Sequence, residues 1–131
     1  DKGKRATLQM GRALNENKII AMLIDQNDNK SELFVNFFGK LASCSKGTAA
    51  FHLLRRSPVV LVTCPYVDNR LKINFQHIQF DLTGNQEKDI LEVNQKITSA
   101  LEKVISQYPE QYFWMHRRWR ARPPQDPKKI Y

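Results

Sequence analysis

Residues Ile19–Ile24, "IIAMLI", run straight into Asp25–Ser31, "DQNDNKS". Six apolar residues in a row are too few for a helix of ordinary length and too uniform for a strand with one wet face. They predict an interior strand of a sheet covered on both faces, the pattern of parallel strands. In open α/β sheets ligands bind at the carboxyl ends of the strands. Asp25 and Gln26 stand at that end, so both are candidates for polar groups aimed into a substrate cleft. The plainer alternative is that Asp25 caps the turn that follows.

Working outward from this segment, Ala6, Leu8, Ala13 and Leu14 suggest one amphipathic helix between Lys4 and Asn17, ending in the turn-prone "NENK". On the other side "FVNFF" (Phe34–Phe38) is strand-like or an extended hydrophobic lid, stopped by Gly39. Ser45–Thr48 look like a helix start, "AAFHLLRR" its body, and Ser57–Pro58 its end. "VVLVTC" (Val59–Cys64) predicts a second interior strand, closed by Pro65. Helix, strand, helix, strand is the grammar of an α/β fold: a mixed, largely parallel sheet flanked by helices. An exposed edge at "IIAMLI" would leave that sheet incomplete on its N-terminal side.

In "RLKINFQHIQFDL" (Arg70–Leu82) the apolar residues Leu71, Ile73 and Phe75 share one phase, and Ile78, Phe80 and Leu82 the other. The change predicts a β-bulge near Gln76 or His77, or a strand twisting between neighbours. Thr83 and Gln86 have capping-box spacing. Beyond them Ile90, Val93, Ile97, Leu101, Val104 and Tyr108 form the stripe of a long helix facing the sheet. Pro109 suits the first turn of a final short helix.

With 131 residues the chain is expected to form a single domain, 1–131. No apolar run approaches the roughly 20 residues of a membrane-spanning helix, and no signal peptide is visible. Cys44 and Cys64 lack CxxC or metal-ligand spacing, so two buried, reduced thiols are expected and no metal. The formal charge is +8, from 21 basic and 13 acidic residues. Residues 116–131 form a basic tail whose six Lys/Arg against one acid supply +5 of it. An anionic partner is implied: nucleic acid, phosphorylated lipid, an acidic protein or a bilayer surface.

Nucleophilic catalysis finds little footing, for no GxSxG elbow is present. His52 lies mid-helix among apolar residues and is expected to be packed. His77 and Asp81 are too far apart along a strand to bond directly. His116 is the histidine placed to touch a ligand, because Arg117 and Arg118 follow it. It belongs to "YPEQYFWMHRRWRARPP" (Tyr108–Pro124), where aromatics and arginines alternate. Such a run could stack on bases and grip phosphates. No RRM, KH, helix-turn-helix or zinc-finger pattern accompanies it, so nucleic acid is not the expected partner. Trp and Tyr favour the lipid headgroup layer and Arg binds phosphate bidentately, which suits a phosphorylated lipid.

The run "YPEQYFWMHRRWRARP" resembles the closing signature of the late acyltransferases of lipid A biosynthesis, "PEQ(Y/W)xWxHRR" ending in Arg-Pro. The block from Leu23 to Val62 is similar to that family's centre. There an Asp-Gln ends a strand, a "PFFG"-like turn follows, and a Gly-led helix precedes a Pro-started strand. The likeness covers about Leu8 to Pro123, and its central block shares its outline with the broader glycerolipid acyltransferases.

The resemblance implies transfer of an acyl chain from acyl carrier protein to a hydroxyl of a phosphorylated, Kdo-bearing lipid A precursor. The implied place is the cytoplasmic face of the bacterial inner membrane. The acyl-carrier-bound chain would be co-substrate, with no further cofactor. In that family a His with an acid five positions on is the catalytic dyad. Here the residues five after His52, His77 and His116 are Ser57, Leu82 and Ala121, so the chain holds no such pair. The expectation is therefore the C-terminal part of an acyltransferase domain, inactive alone, with the dyad and an apolar anchor upstream. It would supply substrate-binding residues: Asp25 and Gln26, Phe38 and Gly39 at the turn, and His116, Arg117 and Arg118. Its expected partners are the glycolipid acceptor, acyl carrier protein and the membrane surface. The alternative is a non-catalytic peripheral module that binds anionic membrane lipid.

Overall fold

The computed structural model describes residues 2–126 and Ile130, with side chains from Arg5 onward. Lys128 and Lys129 of the basic tail lie outside the described residues. The expected first helix forms as α1, Lys2–Asn15. Asn17, with φ 56°, turns the chain out of it.

"IIAMLI" is not a strand. Ile19–Ile24 run without regular structure, Ile19 is 95% exposed, and none of the described backbone hydrogen bonds involves these six residues. A run of apolar residues reports burial, but a strand also needs a neighbour to take its amides. Within the described residues none is offered. Met22 and Ile24 still turn inward: Met22 Sδ lies 3.5 Å from Thr48 Oγ1, and Ile24 packs on the core.

The sheet is likewise not parallel. Among the described residues the strands form three two-stranded antiparallel ribbons. β1 (Phe34–Phe37) pairs with β2 (Lys40–Ser43) through a two-residue turn at Phe38 and Gly39, φ 51° and 74°. Two successive positive φ angles give the twist that a short hairpin needs, and glycine supplies one without strain. "FVNFF" is thus half of a hairpin, and its partner "KLAS" had too little apolar pattern to announce itself.

Helix α2 (Gly47–Arg55) follows. It ends where Arg56 adopts φ 54° and its amide donates to the His52 carbonyl at 2.7 Å. Pro58 then bars any continuation. Next comes one long hairpin. β3 (Val59–Thr63) pairs with β6 (Asn74–Ile78), and β4 (Tyr66–Val67) with β5 (Arg70–Leu71) around Asp68–Asn69. The β3–β6 register is unbroken, so the expected bulge at Gln76 or His77 is absent. The phase change has another cause. Ile78 points inward and is buried, whereas Phe75 faces away and is exposed, so the apolar residues simply switch faces.

Helix α3 (Gln86–Gln107) is the long helix of the predicted stripe. Its N-cap is Asn85, whose side chain accepts from the Lys88 amide at 3.1 Å, rather than Thr83. Thr83 serves a different clasp: its amide and hydroxyl, with the Gly84 amide, donate to the Asp89 carboxylate at 2.7–2.9 Å. Val93, Ile97 and Ala100 bury against Ala49 of α2 and Leu61 and Ile78 of the long hairpin. One turn further, Ile105 meets Phe37 and Ala42 of the first hairpin. Leu101 touches both clusters, so α3 is the spine joining them. A 3₁₀ turn at Pro109–Gln111 ends the helical part.

Candidate active-site loop and C-terminal strap

After the Pro109–Gln111 turn the chain makes no further helix or strand among the described residues. It lies as a strap across the first hairpin and the Asp25–Asp28 loop. The aromatic residues nail it down. Tyr112 and Trp119 pack on Phe37, ring centres 6.1 and 5.5 Å away, and Trp119 Nε1 donates to the Phe37 carbonyl at 3.2 Å. Trp114 meets Tyr112 at 4.8 Å and Phe38 at 5.8 Å.

The polar side of the strap holds the loop. Tyr112 Oη donates to the Asp25 carbonyl at 3.3 Å, and the Asn27 amide donates to His116 Nε2 at 2.9 Å. The Asn27 side-chain oxygen accepts twice, from Ser43 Oγ at 3.0 Å and from the Ala121 amide at 2.9 Å. Ser43 Oγ in turn accepts from the Asp28 amide at 3.1 Å. The loop therefore has its backbone fixed at Asp25, Asn27 and Asp28, with the Gln26 side chain left for other work.

Behind the loop opens a cavity of about 230 Å³. Gln26, Asn27 and Asp28 form one wall, Cys44, Ser45 and Thr48 another, and Asn94, Ile97 and Thr98 of α3 the floor. Met22, Leu23 and Ile24 supply an apolar side. Asn94 Nδ2 donates to the Ile90 carbonyl at 2.8 Å, which leaves its oxygen for the cavity. The Cys44 thiol is pushed up to about 11 by burial, with Arg118 opposing and Asp28 reinforcing the rise. A thiol held so high stays protonated and is no nucleophile at neutral pH.

The seven residues singled out from sequence therefore part company. Gln26 lines the cavity, while Asp25 and His116 help to hold its rim. Phe38 and Gly39 form the hairpin turn beside Trp114, and the Phe38 amide donates to the Glu102 carboxylate. Arg117 is exposed. Arg118 is 2% exposed, its guanidinium 5.4 Å above the Phe37 ring and donating to the Ser43 carbonyl. Its charge is engaged inside the protein, as is that of Arg122, which donates to the Leu41 carbonyl at 3.0 Å and pairs with Asp126.

His116 receives a hydrogen bond at Nε2, so that nitrogen is an acceptor and the ring proton sits on Nδ1. Asn27 and Ser43, the centre of the network, carried no signal in the sequence beyond lying in polar or small-residue stretches. His52 is packed: its ring meets Phe80 edge to face at 4.7 Å, and Nδ1 lies 2.7 Å from the Ser57 carbonyl. Cys64 is exposed rather than buried, and both cysteines are free. Among the described residues no group of three His, Cys, Asp or Glu could hold a metal ion. None of the described helices is long and apolar enough to cross a membrane.

The aromatic–basic terminus of this mixed α/β chain thus folds back on the Asp-Gln loop. Residues 3–121 match the family model of bacterial lipid A biosynthesis acyltransferases, and the chain belongs to that family. A search of curated proteins finds no matching relative.

Proposed function

We propose that this chain forms the substrate-binding part of an enzyme that moves a fatty acyl group from acyl carrier protein to a hydroxyl of a phosphorylated, Kdo-bearing lipid A precursor. The observation that carries this reading is the fixing of the Asp25–Asp28 loop by Tyr112, His116 and Ala121, 87 to 94 residues away. On this reading the two segments that carry the family resemblance serve one site.

In this reading Gln26 and the cavity behind it take an uncharged polar or acyl portion of a substrate, while Arg117 and Arg120, both exposed, meet its phosphates. The same cations would steer the acidic acyl carrier protein. Asp25 and His116 act by holding the rim, and Phe38 and Gly39 shape the turn at its flank. The general base is to be sought outside these residues, since no His here has an acid five positions on. The reaction needs no metal or organic cofactor, and it belongs at the cytoplasmic face of the inner membrane, where such an acceptor is made.

The test is transfer of a labelled acyl group from acyl carrier protein to a lipid A precursor. It is measured with the chain alone and with a family segment that carries the His–acid pair. Transfer that needs both parts and weakens in Arg117→Ala supports the reading. No transfer from either mixture sinks it.

A further inference from the structure

The long hairpin Val59–Ile78 packs on the core through one face only. Leu61 and Ile78 are buried, while Val60, Val62 and Phe75 face away. Its tip is more exposed still. Asp68 and Asn69 turn the chain, and just beyond them Leu71 is 69% and Ile73 59% exposed, with Arg70 and Lys72 flanking the leucine. A solvated turn has no use for two large aliphatic residues, whereas a surface that leaves water for a greasy, charged layer does.

The tip has a neighbour. Gln111 donates Nε2 to the Tyr66 carbonyl at 2.9 Å and accepts from the Tyr66 amide at 2.7 Å, which locks the hairpin to the strap 45 residues later. There Phe113, Trp114 and Met115 are exposed, and Trp114 leans on Phe38. Arg70 and Lys72 on the hairpin and Arg117 just after the turn enter none of the ion pairs among the described residues. Asp68 and Glu110 are the acids on these two segments, two against those three cations, while the Glu102 carboxylate at the Phe38 turn is engaged by the Phe38 amide.

We propose that the hairpin tip and the Phe113–Met115 turn together dock on an anionic bilayer. Leu71 and Ile73 enter the headgroup layer, Trp114 lies at its level, and Arg70, Lys72 and Arg117 rest on lipid phosphates. The proposal rests on the reading that the substrate is a membrane lipid, and it assigns the membrane contact to the hairpin as well as to the basic strap. Docking in this pose brings the Phe38 turn to the bilayer, so an acceptor could reach the site without leaving its membrane.

The experiment is sedimentation of the chain with vesicles of phosphatidylglycerol and phosphatidylcholine. Binding that weakens with salt and is lost on pure phosphatidylcholine is expected. Leu71→Ser with Ile73→Ser should lower the affinity roughly tenfold or more, because two aliphatic side chains no longer leave water. Leu54→Ser, altering a residue 70% exposed on α2, should leave it unchanged. Arg70→Glu with Lys72→Glu should likewise weaken binding at least roughly tenfold, which guards against the serine pair misfolding; circular dichroism checks both.

Wild-type chain that ignores anionic vesicles overturns the proposal, as do folded tip variants that bind normally or a Leu54→Ser loss equal to theirs. Tip variants that instead abolish a dimer seen by light scattering assign the surface to a second copy and overturn it too. A chain that docks as expected but supports no acyl transfer even with the segment that carries the His–acid pair overturns the enzymatic reading and leaves the docking surface standing.

Discussion

Arg117 and Arg118 are neighbours in sequence with opposite environments. Arg118 spends its charge on the Ser43 carbonyl and the Phe37 face, deep inside; Arg117 faces out. Truncating Arg118 removes a charge-assisted hydrogen bond and the packing of its stem, so Arg118→Ala should cost about 2–4 kcal/mol in urea unfolding. Arg117→Ala should stay within about 0.5 kcal/mol of wild type. In an active assembly it should raise KM for the phosphorylated acceptor roughly tenfold, the worth of one such contact. The sequence marks this arginine pair as special but cannot say which one turns inward, because the deciding acceptor, Ser43, lies 75 residues away. The cysteines differ in the same manner. Cys44, buried and held to about 11, should resist a thiol reagent at about pH 8, while exposed Cys64 reacts. Mass spectrometry should therefore find one modified thiol in the native chain and two in urea.

At the scale of elements, the start of α3 depends on the Asp89 clasp. The Thr83 amide, above all, holds the carboxyl of Asp89 below the ordinary range; the Thr83 hydroxyl, the Gly84 amide and the charge of Arg56 assist, against partial desolvation. A carboxyl depressed on folding contributes stability that is present above the unfolded value and lost as pH falls through the folded one. Asp89→Asn should thus lower the urea midpoint at neutral pH, and the two proteins should converge below about pH 4. A gap that persists in acid would mean that the clasp works through shape rather than charge. The turn of the long hairpin offers a complementary case. Asp68 and Asn69 have φ of 50° and 60°, where glycine is unstrained, so Asn69→Gly should gain up to about 1 kcal/mol. Helices α2 and α3 were legible because Pro58, Pro109 and a 3.6-residue stripe act locally, even though the N-cap of α3 proved to be Asn85 rather than Thr83. The hairpins were not, because pairing is a property of two segments and the apolar residues on the outer face of β3 and β6 imitate those of a buried strand.

For the molecule as a whole, the consequential departure from the sequence reading is Ile19–Ile24. These residues are as apolar as an interior strand, yet Ile19 is 95% and Leu23 81% exposed, and no described backbone bond engages them. An extended apolar segment with open amides and carbonyls is a template for pairing with another strand. The loop it leads into is nevertheless well fixed, because Asp25, Asn27 and Asp28 are held by the strap and by Ser43 rather than by a sheet. The loop's backbone geometry therefore does not need the segment to be a strand, although Met22, Leu23 and Ile24 line the cavity. Ile19→Lys with Leu23→Lys should leave the melting temperature close to wild type, since both side chains already stand in water. The same pair should raise the concentration at which light scattering first detects association, because each added charge must be desolvated or opposed when two such segments meet. If the double lysine variant instead unfolds the chain, the segment is supporting the cavity wall through Leu23, and the loop and the segment stand or fall together.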